Sequence, residues 1–389
     1  MNAKDRSCDA PPQEVRSCDA PSQEVPAAPP PHDAWFAVAN EAEVPSPALL
    51  VYRERVDANL RAMLEIAGGP ERLRPHIKTH KMPAMMERQL ALGITKFKCA
   101  TLKEAGMAAR CGAPDVLLAY QPVGPNVRAF WEIARAFPAT KFSAIVDDPE
   151  AAEALANSKH PVTLLVDLDL GQHRTGIAPG ACAAALYDLI ANTPGLRAGG
   201  LHAYDGHLDG RDSAECEAAF APVAKLRAQL GRVPRVVAGG SPTFPFHARR
   251  RDVECSPGTC VFWDAGYAKK CPSQPFVPAA LVLTRVVSKP GENRLCLDLG
   301  HKAIASEMPH PRVLFPQLPD AAAIAHSEEH LVVETARASE FPIGTALYGI
   351  PWHICPTVAL HAQAFIVENG RVETAWPITA RSRILDSSC

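Results

Sequence analysis

The sequence predicts an α/β protein in which a (β/α)8 TIM-like barrel is followed by a smaller, mostly antiparallel β domain. Eight short apolar or β-branched runs lie between residues 49 and 240, and nearly all precede a helical pattern, as parallel strands do. Their span suits a (β/α)8 barrel, which typically takes about 250 residues. An open doubly wound sheet is the alternative, but the first strand–helix turn lacks its G-x-G-x-x-G signature.

The barrel domain is predicted to span residues 45–265. Its strands are expected at 49–52, 74–78, 96–100, 115–120, 141–146, 162–169, 200–204 and 235–240. The intervening segments have apolar residues on one helical face, such as Val56, Leu60 and Met63 in the first of them. Pro83 and Gly93 mark the start and the end of the second helix.

Residues 266–389 are predicted to form the β domain. Runs at 280–289, 294–300, 328–335 and 361–376 have strand character and are separated by polar loops, without a long helical pattern. The Glu-Asn-Gly sequence at 368–370 is typical of a tight hairpin turn.

Residues 1–35 stand apart from both domains. A decapeptide occurs twice in tandem, at Arg6–Val15 and Arg16–Val25, and differs only by Pro12 against Ser22. The segment is rich in Pro and polar residues and has little to bury, so it is expected to be a disordered tail.

The composition excludes several classes of protein. With 40 Lys and Arg against 42 Asp and Glu and no basic stripe, neither a nucleic-acid nor a membrane partner is expected. No apolar run reaches the roughly 18 residues of a membrane span, and no secretory signal is apparent. The twelve cysteines are sparse and none form Cys-x-x-Cys, which predicts reduced thiols and a cytoplasmic protein.

Polar residues follow the apolar strands where the catalytic face of a barrel lies. Lys78 ends one strand, in RPHIKTHK, where partial desolvation would favour an amine nucleophile. The alternative is an ordinary surface lysine. Tyr204 and His207 follow another strand, and His207 is either an acid–base group or a solvated loop residue. Arg174, in DLDLGQHRTG, lies in a loop that binds an anion or metal, or in a plain polar turn.

Two turns and one short motif complete the candidates. Turns at 238–243 and 256–259 contain glycine and suit either phosphate binding or a tight bend. His353 and Cys355 are two residues apart, so on a strand both side chains would reach one metal. Imidazole and thiolate suit zinc, although a buried free cysteine beside a loop histidine is the alternative.

From about Pro45 to Arg383 the chain resembles pyridoxal-phosphate (PLP) enzymes of the alanine-racemase-like fold. The resemblance rests on motifs in a shared order, namely RPHIKTHK, TKFKCATLKEAG, DVLLAYQPVGPN, GQHRTG, YDGH, GGSPT, SPGT and HICPT. The branch that it resembles holds the D-threonine aldolases and the D-serine dehydratases. It implies a barrel followed by a β domain, and a homodimer.

The resemblance implies a role for each candidate. Lys78 resembles the lysine that holds PLP covalently, and Arg174 and Tyr204 resemble residues that line the cofactor. The phosphate-binding turns correspond to Gly240, Ser241, Gly258 and Thr259. His353 and Cys355 resemble the pair that binds a divalent metal, with zinc expected and manganese as an alternative. At position 260, where relatives often carry an aromatic residue, this chain has a cysteine.

The resemblance favours a lyase that acts on D-3-hydroxy amino acids. His207 resembles the histidine of the aldolases that deprotonates the β-hydroxyl group, which favours cleavage of D-threonine-type substrates to glycine and an aldehyde. Cys355 instead resembles the metal ligand of the dehydratases, because the aldolases carry an aspartate at this position. Dehydration of D-serine or D-3-hydroxyaspartate is therefore the alternative. The same fold also accommodates a racemase, which would need a tyrosine such as Tyr348, and a non-catalytic PLP carrier.

Overall fold

A computed structural model of the protein describes residues 34–383, which form a parallel sheet of seven strands and a mixed sheet of nine. The predicted fold class is confirmed. The tandem decapeptide and the rest of residues 1–33 lie outside the described residues. Trp35, which was assigned to the tail, packs against Tyr52 with ring centroids 5.2 Å apart, so the folded part begins earlier than predicted.

The first strand of the chain, β1 (Ala48–Tyr52), does not belong to the barrel. It pairs with two strands of the second sheet, antiparallel to Ala280–Gly291 and parallel to Gln363–Glu368. This run was predicted to be the first barrel strand, within residues 45–265. That assignment was wrong, because a fully buried apolar strand has the same pattern in either sheet.

Seven parallel strands form most of the barrel in the order of the chain. They are β2 (Lys96–Cys99), β3 (Asp115–Leu118), β4 (Lys141–Val146), β5 (Val162–Asp169), β6 (Leu196–Tyr204), β7 (Val236–Ala238) and β8 (Glu254–Cys255). The last of them was missed in the sequence, since two residues are too few for a visible period.

Residues 73–77 close the barrel between its two edge strands. Single bridges join Leu73 to Cys255 and His76 to Lys98, and the backbone N–H of Arg74 donates to the carbonyl of Cys255 at 2.8 Å. The segment 74–78 was predicted as a regular strand. It pairs only in part, because Pro75 has no N–H to donate to a ladder.

The helices lie mainly between these strands. They are α1 (Arg53–Ala67), α2 (Pro83–Ala91), α3 (Leu102–Arg110), α4 (Pro125–Ala136), α5 (Pro149–Ala154), α6 (Ala181–Asn192), α7 (Ser213–Leu230), α8 (Phe244–Ala248), α9 (Ala265–Lys270) and α10 (Ile354–Leu360). Side-chain caps fix several starts: Thr101 accepts from the N–H of Glu104 at 3.1 Å, and Asp148 from that of Ala151 at 2.9 Å. Within residues 34–383, none of the helices is both long and apolar enough to cross a lipid bilayer.

A β-bulge in β6 sets the direction of the side chains that follow it. Leu164 pairs with Ala198 but Leu165 with Gly200, so β6 carries one extra residue at this point. Gly200 has φ of +135°, and a Cβ there would lie 2.0 Å from the carbonyl oxygen of Arg235. Only glycine fits this position. His202 and Tyr204, beyond the bulge, are on the same face of the strand.

The second sheet contains β1 and the strands of the C-terminal part. Its further strands are β9 (Ala280–Gly291), β10 (Arg294–Leu297), β11 (Val313–Leu314), β12 (Ala322–His326), β13 (Leu331–Glu334), β14 (Ala346–Pro351), β15 (Gln363–Glu368) and β16 (Arg371–Pro377). The predicted hairpin forms between β15 and β16, where Asn369 and Gly370 both have positive φ. Apart from β1 with β15, the pairs in this sheet are antiparallel.

Candidate active site

A cavity of about 440 Å³ opens at the carboxyl ends of the barrel strands, and Lys78, Arg174 and Tyr204 line it. Tyr204 ends β6, Lys78 follows the closing segment, and Arg174 lies in the loop after β5. The Arg174 guanidinium carbon is 4.9 Å and the Lys78 amine 5.9 Å from the centre of the Tyr204 ring. The structure therefore brings together three of the predicted residues, two of them cations on one aromatic ring.

The two glycine turns after β7 and β8 meet through one hydroxyl group. Ser241 Oγ accepts from the backbone N–H groups of Gly258 at 3.1 Å and Thr259 at 2.9 Å. A Cβ on Gly240 would lie 3.0 Å from the Tyr204 ring, and one on Gly258 would lie 3.2 Å from His76 and Thr79. Convergent backbone N–H groups and glycines with little room for a side chain are typical of turns that bind a phosphate group.

His353 and Cys355 are close together, but not on a strand as predicted. His353 is the residue before α10, and Cys355 lies in the first turn of that helix. The expectation from alternating strand side chains was wrong, because the chain leaves β14 at Pro351 and turns into a helix. The two side chains nevertheless form a hydrogen bond with each other.

Cys355 connects the elements of the site. Its Sγ lies 3.2 Å from Thr79 Oγ1, next to Lys78, and 3.3 Å from Thr259 Oγ1 in the turn after β8. Burial raises the pKa of this thiol, but the hydrogen bond with His353, the charge of His353 and that of Lys78 outweigh burial and lower it. The environment thus favours a thiolate, which is the form that binds metals.

His353 is held by a second partner, the carboxylate of Glu307, which contacts Nδ1. Burial lowers the pKa of His353, but the hydrogen bonds with Cys355 and Glu307 outweigh it and raise the pKa to about 9. A carboxylate on one ring nitrogen is the usual partner of a metal-binding histidine, because it fixes the orientation of the ring.

A divalent metal fits this pair, provided that other ligands complete its shell. Within residues 34–383 there is no group of three or more His, Cys, Asp or Glu side chains arranged to hold a metal ion. Imidazole and thiolate supply two ligands that suit zinc. Water and substrate would supply the rest, as in a catalytic site.

His207 is not among the residues that line the cavity. It is exposed in the loop after β6, and its Nε2 would lie 3.4 Å from a Cβ on Gly171. The loop of Gly171 also carries Arg174, so His207 lies at the rim of the cavity. Its neighbour Asp205 is buried and hydrogen-bonded to Thr243 and His247, both at 2.7 Å.

Lys98, Asp167 and His202 also line the cavity and were not among the predicted site residues. His202 Nδ1 is 2.6 Å from Asp167 Oδ1, and Lys98 Nζ is 3.4 Å from His202 Nε2. A periodicity signal was present, because His202 is two residues before Tyr204 on one strand and Asp167 two before Asp169 on another. Charged residues inside strands otherwise buried indicate a polar barrel interior.

Family models match most of the chain in two parts. Residues 51–265 match "Alanine racemase, N-terminal domain", and residues 279–367 match "Putative serine dehydratase domain". The two ranges divide close to the predicted change from barrel to β domain.

Full-length relatives match over nearly the same range. A D-threonine aldolase from Arthrobacter sp. is 32% identical over 359 residues, which cover 87% of this chain and 93% of that protein. A 3-hydroxy-D-aspartate aldolase from Paracoccus denitrificans (strain Pd 1222) is 29% identical over 373 residues, covering 88% and 94%. The crystal structure of D-threonine aldolase from Filomicrobium marinum has a TM-score of 0.80 at 29% identity and covers 90% of this chain and 99% of that one. The chain therefore belongs to the D-threonine aldolase and D-serine dehydratase-like family of PLP-dependent lyases with the alanine-racemase-like fold.

Proposed function

We propose that the protein is a PLP- and divalent-metal-dependent lyase that cleaves D-threonine-type 3-hydroxy amino acids to glycine and an aldehyde. One observation carries the proposal: the Cys355 thiol contacts Thr79, the residue after Lys78. A cofactor held by Lys78 and a metal held by His353 and Cys355 would then serve one substrate. The aldolases among the relatives support the same reaction.

The proposal assigns each residue a task. Lys78 holds PLP, Arg174 and Tyr204 position its ring, and its phosphate binds at Gly240, Ser241, Gly258 and Thr259. When bound, PLP supplies an electron sink for the bond that breaks at Cα.

The metal pair and the rim histidine act on the other end of the substrate. His353 and Cys355 bind zinc or manganese, which lowers the pKa of a substrate hydroxyl group. His207 accepts the proton of that hydroxyl from its place at the rim. Because His207 is exposed, the loop that carries it would have to move towards the substrate for this proton transfer.

Dehydration of D-serine or D-3-hydroxyaspartate is the alternative, and Cys355 favours it. A thiolate metal ligand is typical of the dehydratases that this chain resembles, and residues 279–367 match the family model "Putative serine dehydratase domain". In that reaction Lys78 would remove the α-proton, and a metal held by His353 and Cys355 would supply Lewis-acid assistance to loss of the hydroxyl group.

A racemase is disfavoured by the surroundings of Tyr348, the tyrosine that such a reaction would need. Its side chain is buried, and its hydroxyl group donates to Glu41 at 2.5 Å and accepts from the N–H of Val38 at 3.2 Å. It also packs against Phe36 in a separate apolar cluster. Because the Tyr348 hydroxyl group is engaged in these hydrogen bonds, it would not exchange protons with a substrate in the cavity of Lys78.

The deciding experiment is incubation with D-threonine and with D-serine, in the presence of PLP and either zinc or manganese. Glycine and acetaldehyde are expected from D-threonine. Ammonia with 2-oxobutyrate or pyruvate would establish the dehydratase instead. An L-isomer formed in the presence of a chelator would indicate a racemase, and bound PLP without turnover of any substrate would indicate a carrier.

We further propose that the enzyme is a cytoplasmic homodimer. Family resemblance supports the dimer, as does the exposure of Tyr120 and Val123, apolar side chains beside the cavity that are 51% and 50% exposed. Light scattering of the full-length chain should give twice the mass of 41.7 kDa, and a monomer at all concentrations would contradict this.

A further inference from the structure

The cavity holds a second lysine besides Lys78. Lys98, in β2, points into the barrel and is 2% exposed, yet it is one of the cavity-lining residues. Its Nζ lies 5.6 Å from the centre of the Tyr204 ring, and that of Lys78 lies 5.9 Å from the same ring. The two amines therefore face one aromatic side chain from the same cavity.

A chain of hydrogen bonds holds Lys98 in place. Asp167 Oδ1 accepts from His202 Nδ1 at 2.6 Å, and Asp167 Oδ2 accepts from the Thr175 hydroxyl at 2.9 Å. With the proton on Nδ1, neutral His202 presents the lone pair of Nε2, which faces Lys98 Nζ at 3.4 Å. Burial keeps the imidazole in this neutral state, since it lowers the pKa of His202 below the ordinary value.

The charged side chains around Lys98 are of both signs. Lys78 and Arg74 disfavour its ammonium form, and Asp167 and Asp205 favour it. The His76 ring lies beside the same strand, with Nδ1 3.1 Å from the backbone carbonyl oxygen of Lys98. Burial, followed by the charge of Lys78, lowers the pKa of Lys98 to about 7. Near neutral pH the amine is therefore present both with and without its extra proton.

We propose that Lys98 is a second proton-exchanging amine of the active site, held towards the cavity by His202 and Asp167. This inference rests on the proposed lyase function. Retro-aldol cleavage takes one proton from the β-hydroxyl group and adds one at Cα, so no proton is gained or lost overall. His207 takes the β-hydroxyl proton at the rim, neutral Lys98 accepts that proton inside the cavity, and the ammonium form of Lys98 gives it up to Cα, which restores both groups after each turnover.

The competing role is structural, in which Lys98 is only a buried cation that fills the barrel. Two substitutions separate the roles. Lys98→Arg keeps a positive charge and a donor to His202, but it does not lose its proton near neutral pH. Lys98→Met removes both charge and donor. The exposed Lys225 of α7 supplies the matched control, Lys225→Met.

The first test measures the amine itself and needs no substrate. The full-length chain, with and without PLP, is acylated by limiting acetic anhydride at a series of pH values, and each lysine is followed by peptide mass spectrometry. In the PLP-free protein Lys98 should reach half-reactivity near pH 7, whereas Lys225 should do so near the ordinary lysine pKa of about 10.4. His202→Asn should move the midpoint of Lys98 alone. A Lys98 midpoint equal to that of Lys225 would overturn the proposal.

The second test measures turnover against pH. Both Lys98→Arg and Lys98→Met should lower kcat by roughly 10²- to 10⁴-fold, the usual share of a general acid–base group, with a smaller change in KM. In both variants kcat should no longer change with pH near neutrality, whereas Lys225→Met should keep that dependence. Full activity in Lys98→Arg would refute proton exchange.

The two tests separate the two proposals. If Lys98 titrates near neutrality but no 3-hydroxy amino acid is cleaved or dehydrated, the lyase proposal fails while the assignment of the amine stands. If Lys98→Met does not fold, the labelling of the unsubstituted protein and the Lys98→Arg profile still decide the matter.

Discussion

The ion pairs of Arg74 should contribute strongly to the closure of the barrel. Arg74 lies in the closing segment, and its side chain is 0% exposed. It donates to Asp115 at 2.7 Å from Nη1 and to Glu254 at 2.6 Å from Nε. Arg74→Met keeps much of the volume but removes the charge, so both carboxylates lose their buried partner.

The magnitude follows from what remains after the substitution. Removing one partner of a buried ion pair usually costs about 3–5 kcal/mol of unfolding free energy. Asp115 keeps Arg235 at 3.3 Å and Glu254 keeps Lys96 at 2.8 Å, and each carboxylate is 18% exposed. We therefore expect the lower end, about 3 kcal/mol, at neutral pH.

Acid should reduce this difference. Burial acts to raise the pKa of Asp115 and Glu254, but Arg74 outweighs it and holds both below their ordinary values. A carboxylate with a lowered pKa in the folded state stabilises the fold above its unfolded pKa, and this stability is lost as pH falls through the folded pKa. The wild type loses that contribution in acid, whereas Arg74→Met has already lost it.

Urea unfolding followed by circular dichroism measures the effect at neutral and acidic pH. Arg371→Met is the control, because its pair with Glu373 is loose, at 3.7 Å, and exposed. The combined change Arg74→Met, Asp115→Asn and Glu254→Gln should recover part of the loss, since it removes the two carboxylates that lost their buried partner and leaves unpaired only the partly exposed Arg235 and Lys96. A loss under about 1 kcal/mol for Arg74→Met, or one that does not vary with pH, would refute the reasoning.

Three further predictions concern the site. Lys78→Ala should abolish the absorbance of the lysine-bound cofactor, which Lys225→Ala should leave intact in the same spectrum. Cys355→Ala should retain that absorbance but lose metal-dependent turnover, and undiminished turnover with added zinc would contradict the metal assignment. Gly258→Ala should weaken PLP binding on the order of tenfold, or about 1.4 kcal/mol, in a spectrophotometric titration, because its Cβ would press on His76 and Thr79 at 3.2 Å; unchanged affinity would place the phosphate elsewhere.

Position at the end of an apolar strand was enough to predict part of the site. Lys78 and Tyr204 each end such a run, and both line the cavity. The same rule did not single out Lys98 and His202, which lie within their strands. Their side chains point into the barrel, where polar residues of other strands lie beside them. Which residues meet there depends on which strands are neighbours in the fold.

The partners of His353 and Cys355, the proposed metal pair, could not be predicted from spacing. Glu307 is far from His353 along the chain and contacts it only because the loop before β11 folds beside α10. The helix at Ile354–Leu360 also changes how Cys355 is presented, so that it meets Thr79 and Thr259 rather than extending along a strand.

By itself, the sequence determined the alternation of strands and helices, the later change to antiparallel strands and the motifs that carry the family likeness. These are local patterns, written in the spacing of apolar residues and in short runs of polar ones. Tertiary structure alone decided that β1 joins the second sheet, that residues 73–77 close the barrel and that Lys98, His202 and Asp167 meet inside it. Each of these depends on which segments pair across long separations in the chain, and a single strand pattern is compatible with more than one neighbour.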